Sequence, residues 1–517
     1  MYTAVLIDTI SIQNYIFGSN KLKENIGGSF IIEHWIYHKL IPMGFNEMKI
    51  PVPDMDLWRT RPDLNQLEHT PEQDVELAYI GGGGALLLFR NEHHAGQFIK
   101  VYSQLVLSYF PGLNIVFGSD KSFSYSGDGF LKSMAEVKAN LYSNRSLYSR
   151  RSTPYKHGVV TDCALSNEAE EFKLYTGVNQ VFVSGKSKAR FEAAIASKKY
   201  LENEYPLKIG NKKYVFPQDL ENLGQVKDKG YIAVVHIDGN QMGHRFNQCK
   251  SLEEIRQLSS AISELANSVT ETLLHRIVDD LAHKDISDLF ELFEEDPSKL
   301  ALPIRPLITG GDDITFVCEG RLGIYLAEIL LHKLSSTPIL GKPISACAGV
   351  AIVHTKYPFY KAYELANELM DVAKKESRKI KDSSWLSYMI STGGTSGSLE
   401  EIIKQNYTSV EGAPLKATAY RVDGKGNSFE ALKNGIRFFN SNEESWPNNK
   451  LKALCNVLRS DRAEQAYFVE ELKSRGLKLP GSNSDFDMLG ESAEASYFDM
   501  VELKDFYPQK LLDNATV

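Results

Sequence analysis

Three aspartates carry the chemistry this sequence can support. Asp312 and Asp313 lie in the run Leu307-Ile308-Thr309-Gly310-Gly311-Asp312-Asp313-Ile314-Thr315-Phe316-Val317, where two β-prone segments flank two glycines and two carboxylates. Glycine costs backbone entropy and paired carboxylates repel at a tight bend, so these four residues do not serve strand stability. A divalent cation offsets the repulsion, because hard Mg²⁺ or Mn²⁺ takes oxygen ligands and lets adjacent carboxylates stay ionised together. Asp238 ends a second apolar run, Tyr231-Ile232-Ala233-Val234-Val235-His236-Ile237. If the hairpin lies beside that strand, three carboxylates converge as a two-cation phosphoryl-transfer site needs. Metals there bind triphosphate oxygens, acidify a ribose hydroxyl and stabilise the leaving pyrophosphate. Gly310 and Gly311, lacking Cβ, would admit a phosphate close to the backbone. The turn Gly239-Asn240-Gln241-Met242-Gly243 after Asp238 offers N–H groups at a helix entrance that could hold phosphate, although read alone these residues favour a plain structural turn.

The elements that must position these groups occur twice. Thr3-Ala4-Val5-Leu6-Ile7-Asp8 is again a buried-type strand ending in Asp, offset from Asp238 by 238 − 8 = 230 residues. The glycine turn Gly81-Gly82-Gly83-Gly84 between two apolar runs matches the later hairpin, with Gly83 and Gly84 where Asp312 and Asp313 stand. Helical stretches His93 to Phe110 and Leu322 to Ser335, strands around Gly118 and Gly349, and charged amphipathic helices Leu131 to Arg145 and Phe359 to Lys379 complete both copies. Such constant spacing reads as a tandem duplication. Each copy runs strand, helix, hairpin, helix, strand, helix, which predicts an α+β fold of two ferredoxin-like layers. Chemistry is assigned to the second copy, and at most nucleotide binding or scaffolding to the first. The expected domains are 1–149, 150–230 as a linker, 231–390, a connecting segment 391–427, and a helical region 428–517. Leu252 to Ile277 shows the apolar stripe of a long helix expected to pack on the second sheet, followed by an acidic surface insertion, Asp285 to Pro297.

Composition narrows the class without deciding it. At 517 residues the chain exceeds one core, and 43% hydrophobic with 24% charged residues is ordinary for a globular protein. A net charge of −8 gives no whole-molecule attraction to nucleic acid. Asp8 interrupts the N-terminal apolar run, which argues against a signal peptide, and no run suffices for a membrane span. The scattered Cys163, Cys249, Cys318, Cys347 and Cys455 lack a CxxC pair, fitting a reducing cytoplasm and excluding common zinc-ribbon spacings.

Several residues have plain structural readings. His236 shares a strand face with Asp238, yet a lone strand histidine reads as a satisfied core residue. His93 and His94 read as solvent-facing, and Ser391 to Gly397 as a connecting loop. The basic run Lys186, Lys188, Arg190, Lys198 and Lys199 reads as a solvated face. Lys374, Lys375, Arg378 and Lys379 satisfy a helix dipole. No His-Asp dipeptide occurs to suggest a phosphohydrolase of that type.

Gly310-Gly311-Asp312-Asp313, the turn from Asp238 to Gly243, the segment Gly349 to Lys374, and Ile12-Gln13-Asn14-Tyr15-Ile16-Phe17 after the first strand together resemble a known family. It is the polymerase-like large subunit of type III CRISPR effector complexes, in particular its second palm domain. The glycine-glycine-aspartate hairpin is shared with the related diguanylate cyclases, whereas the paired palms are not. The resemblance spans roughly Tyr2 to Lys379. It implies nucleotidyl cyclisation, in which a ribose 3′-OH of an ATP-derived nucleotide attacks an α-phosphate to give a cyclic oligoadenylate or similar signal for antiviral defence. Asp238, Asp312 and Asp313 carry over as catalytic and Mg²⁺- or Mn²⁺-binding residues, Gly239, Asn240, Gly310 and Gly311 as nucleotide-binding, and Lys374 as a contact to the triphosphate. Asn240 stands where the family often has a second Asp. The family's nuclease domain and cysteine-rich zinc element are not found, which suggests a stand-alone form. Use of GTP or mixed nucleotides, and an RNA-binding scaffold without turnover, are the alternatives. Expected partners are ATP or another NTP, with RNA, a defence-complex protein or a second copy of the chain left open.

Overall fold

In the computed structural model, the described residues are 2–147, 160–166, 168–176, 179–226, 230–391, 398–422, 428–442, 446–480 and 496–514. Beyond Ser391, the loop expected to Gly397 lies outside them. The chain forms two compact units. One comprises Met1–Tyr205, Gln241–Asn267 and Leu307–Asp312; the other comprises Pro206–Asn240, Ser268–Pro306 and Asp313–Val517.

The first sheet contains β1 (Tyr2–Ile10), β2 (Val75–Gly81), β3 (Gly84–Phe89) and β4 (Asn114–Phe123), in the order β2-β3-β1-β4. Its apolar strands are buried because helices cover them; every residue from Ala85 to Phe89 is inaccessible to water. The second sheet repeats that order with β5 (Tyr231–Gly239), β6 (Ile304–Ile308), β7 (Asp313–Glu319) and β8 (Ala346–His354), arranged β6-β7-β5-β8. It is extended by β9 (Trp385–Ser391), parallel to β8, and the short β10 (Tyr420–Arg421). β9 follows the last helix of the repeat and is not among the expected elements.

Register shows the duplication residue by residue. Asp8 pairs with Gly84 across β1 and β3, as Asp238 pairs with Asp313 across β5 and β7. Leu6 faces Gly118, as His236 faces Gly349. Ser11 and Gln241 both adopt the left-handed conformation ahead of short helices, Ile12–Phe17 and Met242–Asn247. Non-glycine residues seldom do so, and its recurrence at one repeat position marks an inherited turn.

Gly118 and Gly349 share a packing role as well. A Cβ on Gly118 would run into Val137 O and Leu141, and one on Gly349 into Ala366 O and Met370 N. In each copy the last helix, Gly127–Leu147 or Phe359–Ser377, thus lies against bare strand backbone.

Two expectations are corrected and a third is extended. The helix Leu252–Ala282 has 31 residues, longer than one sheet can cover, and its Leu252 and Ile255 join the core of the first sheet rather than the second. The acidic insertion lies at the surface as expected, exposed at most positions, and it also contributes a strand: Glu294–Asp296 and the following Lys299–Ala301 join Lys212–Val215 and Lys208–Ile209 in a small sheet. Arg190 is not on a solvated face. It is 2% exposed, donates to Tyr15 O, and stacks 4.4 Å from the Tyr15 ring. From Ser428 onward the described chain is helical as expected, with Leu451, Leu454, Val457 and Leu458 buried.

Gly349→Ala is expected to cost about 3 kcal/mol by overpacking, seen as a lowered denaturation midpoint. Gly96→Ala, at a helix position with open space around it, should be neutral or stabilising by up to about 1 kcal/mol.

Candidate active site

β5 delivers Asp238 at its C-terminal end, and antiparallel pairing sets Asp313, the first residue of β7, directly opposite. Cross-strand partners share a sheet face, so the two carboxylates are near neighbours. Asp312 occupies the turn immediately before β7. Of the three carboxylates expected to converge, the strand pairing therefore juxtaposes two. Among the described residues, no group of three or more His, Cys, Asp or Glu side chains is placed to hold a metal ion.

Lys374, near the end of helix Phe359–Ser377, forms an ion pair with Asp238 Oδ2. Both side chains are about three-quarters buried, at 24% and 23% exposure. Burial raises the Asp238 pKa above the usual carboxylate value, the Lys374 ammonium pulls it back down, and the Asp313 charge pushes it up again. The first copy holds a looser version of this pair. Arg145, from the equivalent helix, lies 3.9 Å from Asp8 Oδ2, and burial likewise raises Asp8.

His236 is in contact with Asp313. Its Nδ1 lies 3.2 Å from Asp313 Oδ1 and 2.9 Å from Thr315 Oγ1, and Thr315 Oγ1 is 3.4 Å from the same Asp313 oxygen. The imidazole is 2% exposed, with the Tyr363 ring edge-on at 5.6 Å. The core reading of His236 is correct about burial but misses this contact; strand alternation, which puts it on the face of Asp238, was the available signal. Burial and the two aspartates together hold the Tyr363 hydroxyl in its neutral form.

Asn240 bonds inward. Its amide nitrogen lies 3.0 Å from Ser345 Oγ and 3.1 Å from Ser377 Oγ, and its backbone N–H donates to Ser345 O at 2.8 Å. That set ties the turn after Asp238 to β8 and to the helix bearing Lys374. Gly311 has φ +77°, which an L side chain rarely adopts, so the hairpin requires glycine there. Gly82, at the matching position of the first copy, has φ +59°.

The donor set suits a hard cation. Two carboxylates on adjacent strands provide oxygen ligands, and Mg²⁺ ordinarily takes only one or two from protein, completing its shell with water and substrate phosphate.

Residues 231–383 match the family described as Cas10/Cmr2, second palm domain. No curated protein sequence matches the chain. Among solved structures it is similar to Csm1 of T. onnurineus, with a TM-score of 0.56 and 12% identity over 98% of this chain and 69% of that one. The apo Csm1–Csm4 cassette gives a TM-score of 0.55 at 13% identity, covering 98% and 70%. The same cassette in complex with cA4 gives 0.54 at 13%, covering 98% and 69%. At that identity the likeness is one of fold, and it extends over both sheets and the helical C-terminal region. The resemblance read from the sequence holds, and the α+β palm architecture with it.

Removing the cation beside Asp238 has a pH-dependent cost. Lys374→Met should raise the Asp238 pKa further and destabilise the protein by about 2 kcal/mol where that carboxylate is ionised. The penalty should fade as pH drops and Asp238 protonates in wild type and variant alike. Urea midpoints at pH 8 and pH 4 check it, and an equal loss at both would contradict the ion-pair assignment.

Proposed function

We propose that this chain is a metal-dependent nucleotidyl cyclase that converts ATP to a cyclic oligoadenylate or a related cyclic nucleotide signal in antiviral defence. The observation that carries this reading is the pairing of Asp238 with Asp313 on the central strands of the segment matching a Cas10/Cmr2 second palm domain. Csm1–Csm4 cassettes of this fold have been solved with one ATP, with pppApA and with cA4, which supports a nucleotide substrate and a defence-complex partner.

In this reading Asp238 and Asp313, with Asp312 next in the chain, are the ligands of Mg²⁺ or Mn²⁺. When bound, the cation supplies charge neutralisation for the triphosphate and a lowered pKa for the attacking ribose hydroxyl. The chain's own residues prepare for that. Lys374 offsets part of the burial penalty on the Asp238 carboxylate, and its ammonium can also pair with a phosphate oxygen of the nucleotide. His236 and Thr315 fix the rotamer of Asp313, so that one oxygen is engaged and the other is left for a ligand. Asn240 holds the backbone of the turn in which Gly239 lies, and Gly310 and Gly311 leave room for phosphate beside the hairpin.

The test is incubation of the purified protein with each NTP and Mn²⁺, followed by product mass. Cyclic or linear oligoadenylate from ATP is expected, and Asp238→Ala or Asp313→Ala should reduce it by about 10³-fold or more with the fold intact. Product from GTP alone would reassign the substrate. Nucleotide binding without product, or turnover retained in the aspartate variants, would overturn the proposal in favour of a non-catalytic scaffold.

A further inference from the structure

Outside the aspartates, one carboxyl is set against the glycine hairpin in a manner that neither motif nor repeat foretells. Glu33 lies in a π-helical turn, Ile31–Trp35, that continues the helix Leu22–Phe30. Thr309 Oγ1 donates to Glu33 Oε1 at 3.2 Å. The same oxygen lies 3.9 Å from where a Cβ would stand on Gly310, so the carboxyl borders the turn itself. Four residues earlier, Ser29 Oγ donates to Leu307 O. The residue stretch from Ser29 to Glu33 thus grips the hairpin at two points, Leu307 and Thr309, all within one compact unit.

The Glu33 side chain is partly withdrawn from water, with 34% of it exposed. Burial pushes the Glu33 pKa up to about 7, and the Thr309 bond only partly opposes it. Its other oxygen is 3.9 Å from His34 Nε2, but burial lowers the His34 pKa to about 4, leaving a neutral imidazole that offers no charge compensation. A single-turn widening of a helix is uncommon and recurs at functional sites. The hairpin in turn needs an external hold: Gly310 and Gly311 leave its backbone with broad freedom, and Gly311 is in the left-handed region.

We propose that Glu33 is a positioning residue for the glycine-aspartate hairpin, fixing through Thr309 the turn conformation from which Asp312 and Asp313 are presented. This rests on the cyclase reading for its effect on turnover, but not for its effect on the hairpin. Glu33→Leu keeps the bulk and removes the acceptor, Glu33→Gln keeps an acceptor without charge, and Thr309→Val removes the donor. Glu33→Leu and Thr309→Val should each lower kcat by about tenfold with KM for nucleotide within about threefold, corresponding to roughly 1.4 kcal/mol. The double variant should be no worse than either alone, and Glu33→Gln should recover most of the loss.

Hydrogen exchange of the segment 307–313 provides the readout that does not depend on activity. Exchange should speed up about tenfold in Glu33→Leu and Thr309→Val while β1 and β3 keep wild-type protection. If the wild type yields no product, the cyclase reading fails and this exchange measurement alone decides the inference. Unchanged exchange overturns it. So do additive losses in the double variant, or a Glu33→Leu effect confined to melting temperature and reproduced fully by Glu33→Gln.

Discussion

The site depends on two carboxylates facing each other across an antiparallel ladder. Asp238 and Asp313 are register partners, so neither can relax away from the other without breaking the pairing of β5 and β7. Two like charges held together and largely withdrawn from water, at 23% and 30% exposure, are unfavourable unless something positive or hydrogen-bonding attends each. The structure attends to them separately: Lys374 neutralises Asp238, and His236 with Thr315 engages Asp313. Lys374 comes from the C-terminal part of a helix that packs on strand backbone at Gly349. A packing glycine on β8 therefore sets where the site's countercharge stands.

The duplicated copy shows which parts of this arrangement belong to the scaffold. Asp8 keeps its basic partner, Arg145, and the first sheet keeps its helix-packing glycine, Gly118. What the first copy lacks is the second carboxylate, since Gly84 pairs with Asp8 where Asp313 pairs with Asp238. A strand-end aspartate with a helix-borne cation is thus common to both layers, and the carboxylate pair is confined to one. That contrast locates the proposed chemistry, while the shared ion pair shows that Lys374 has a structural duty besides any contact with nucleotide.

Much of this was legible in one dimension. The offset between Asp8 and Asp238 predicted a tandem repeat, which the matching strand registers of the two sheets reproduce, and the glycine pairs predicted the two hairpins. The reading failed where length or chemistry outran local pattern. The run Trp385 to Ser391 carries two serines among bulky aromatic and aliphatic side chains, so its burial as β9 beside β8 could not be told from a loop approach. Arg190 sits in a lysine-rich run and reads as solvated, yet its guanidinium is buried on Tyr15.

The sequence by itself determined the duplication, the α+β palm class and the carboxylates, because strand periodicity, glycine turns and paired aspartates are written in contiguous residues. Only the tertiary structure decided that Lys374 meets Asp238, that His236 meets Asp313, and that Glu33 reaches Thr309 across 276 positions of chain. Those contacts follow from strand register and from the depth at which a helix settles on its sheet. Both are set by the packing of many side chains at once, and no single stretch of residues encodes them.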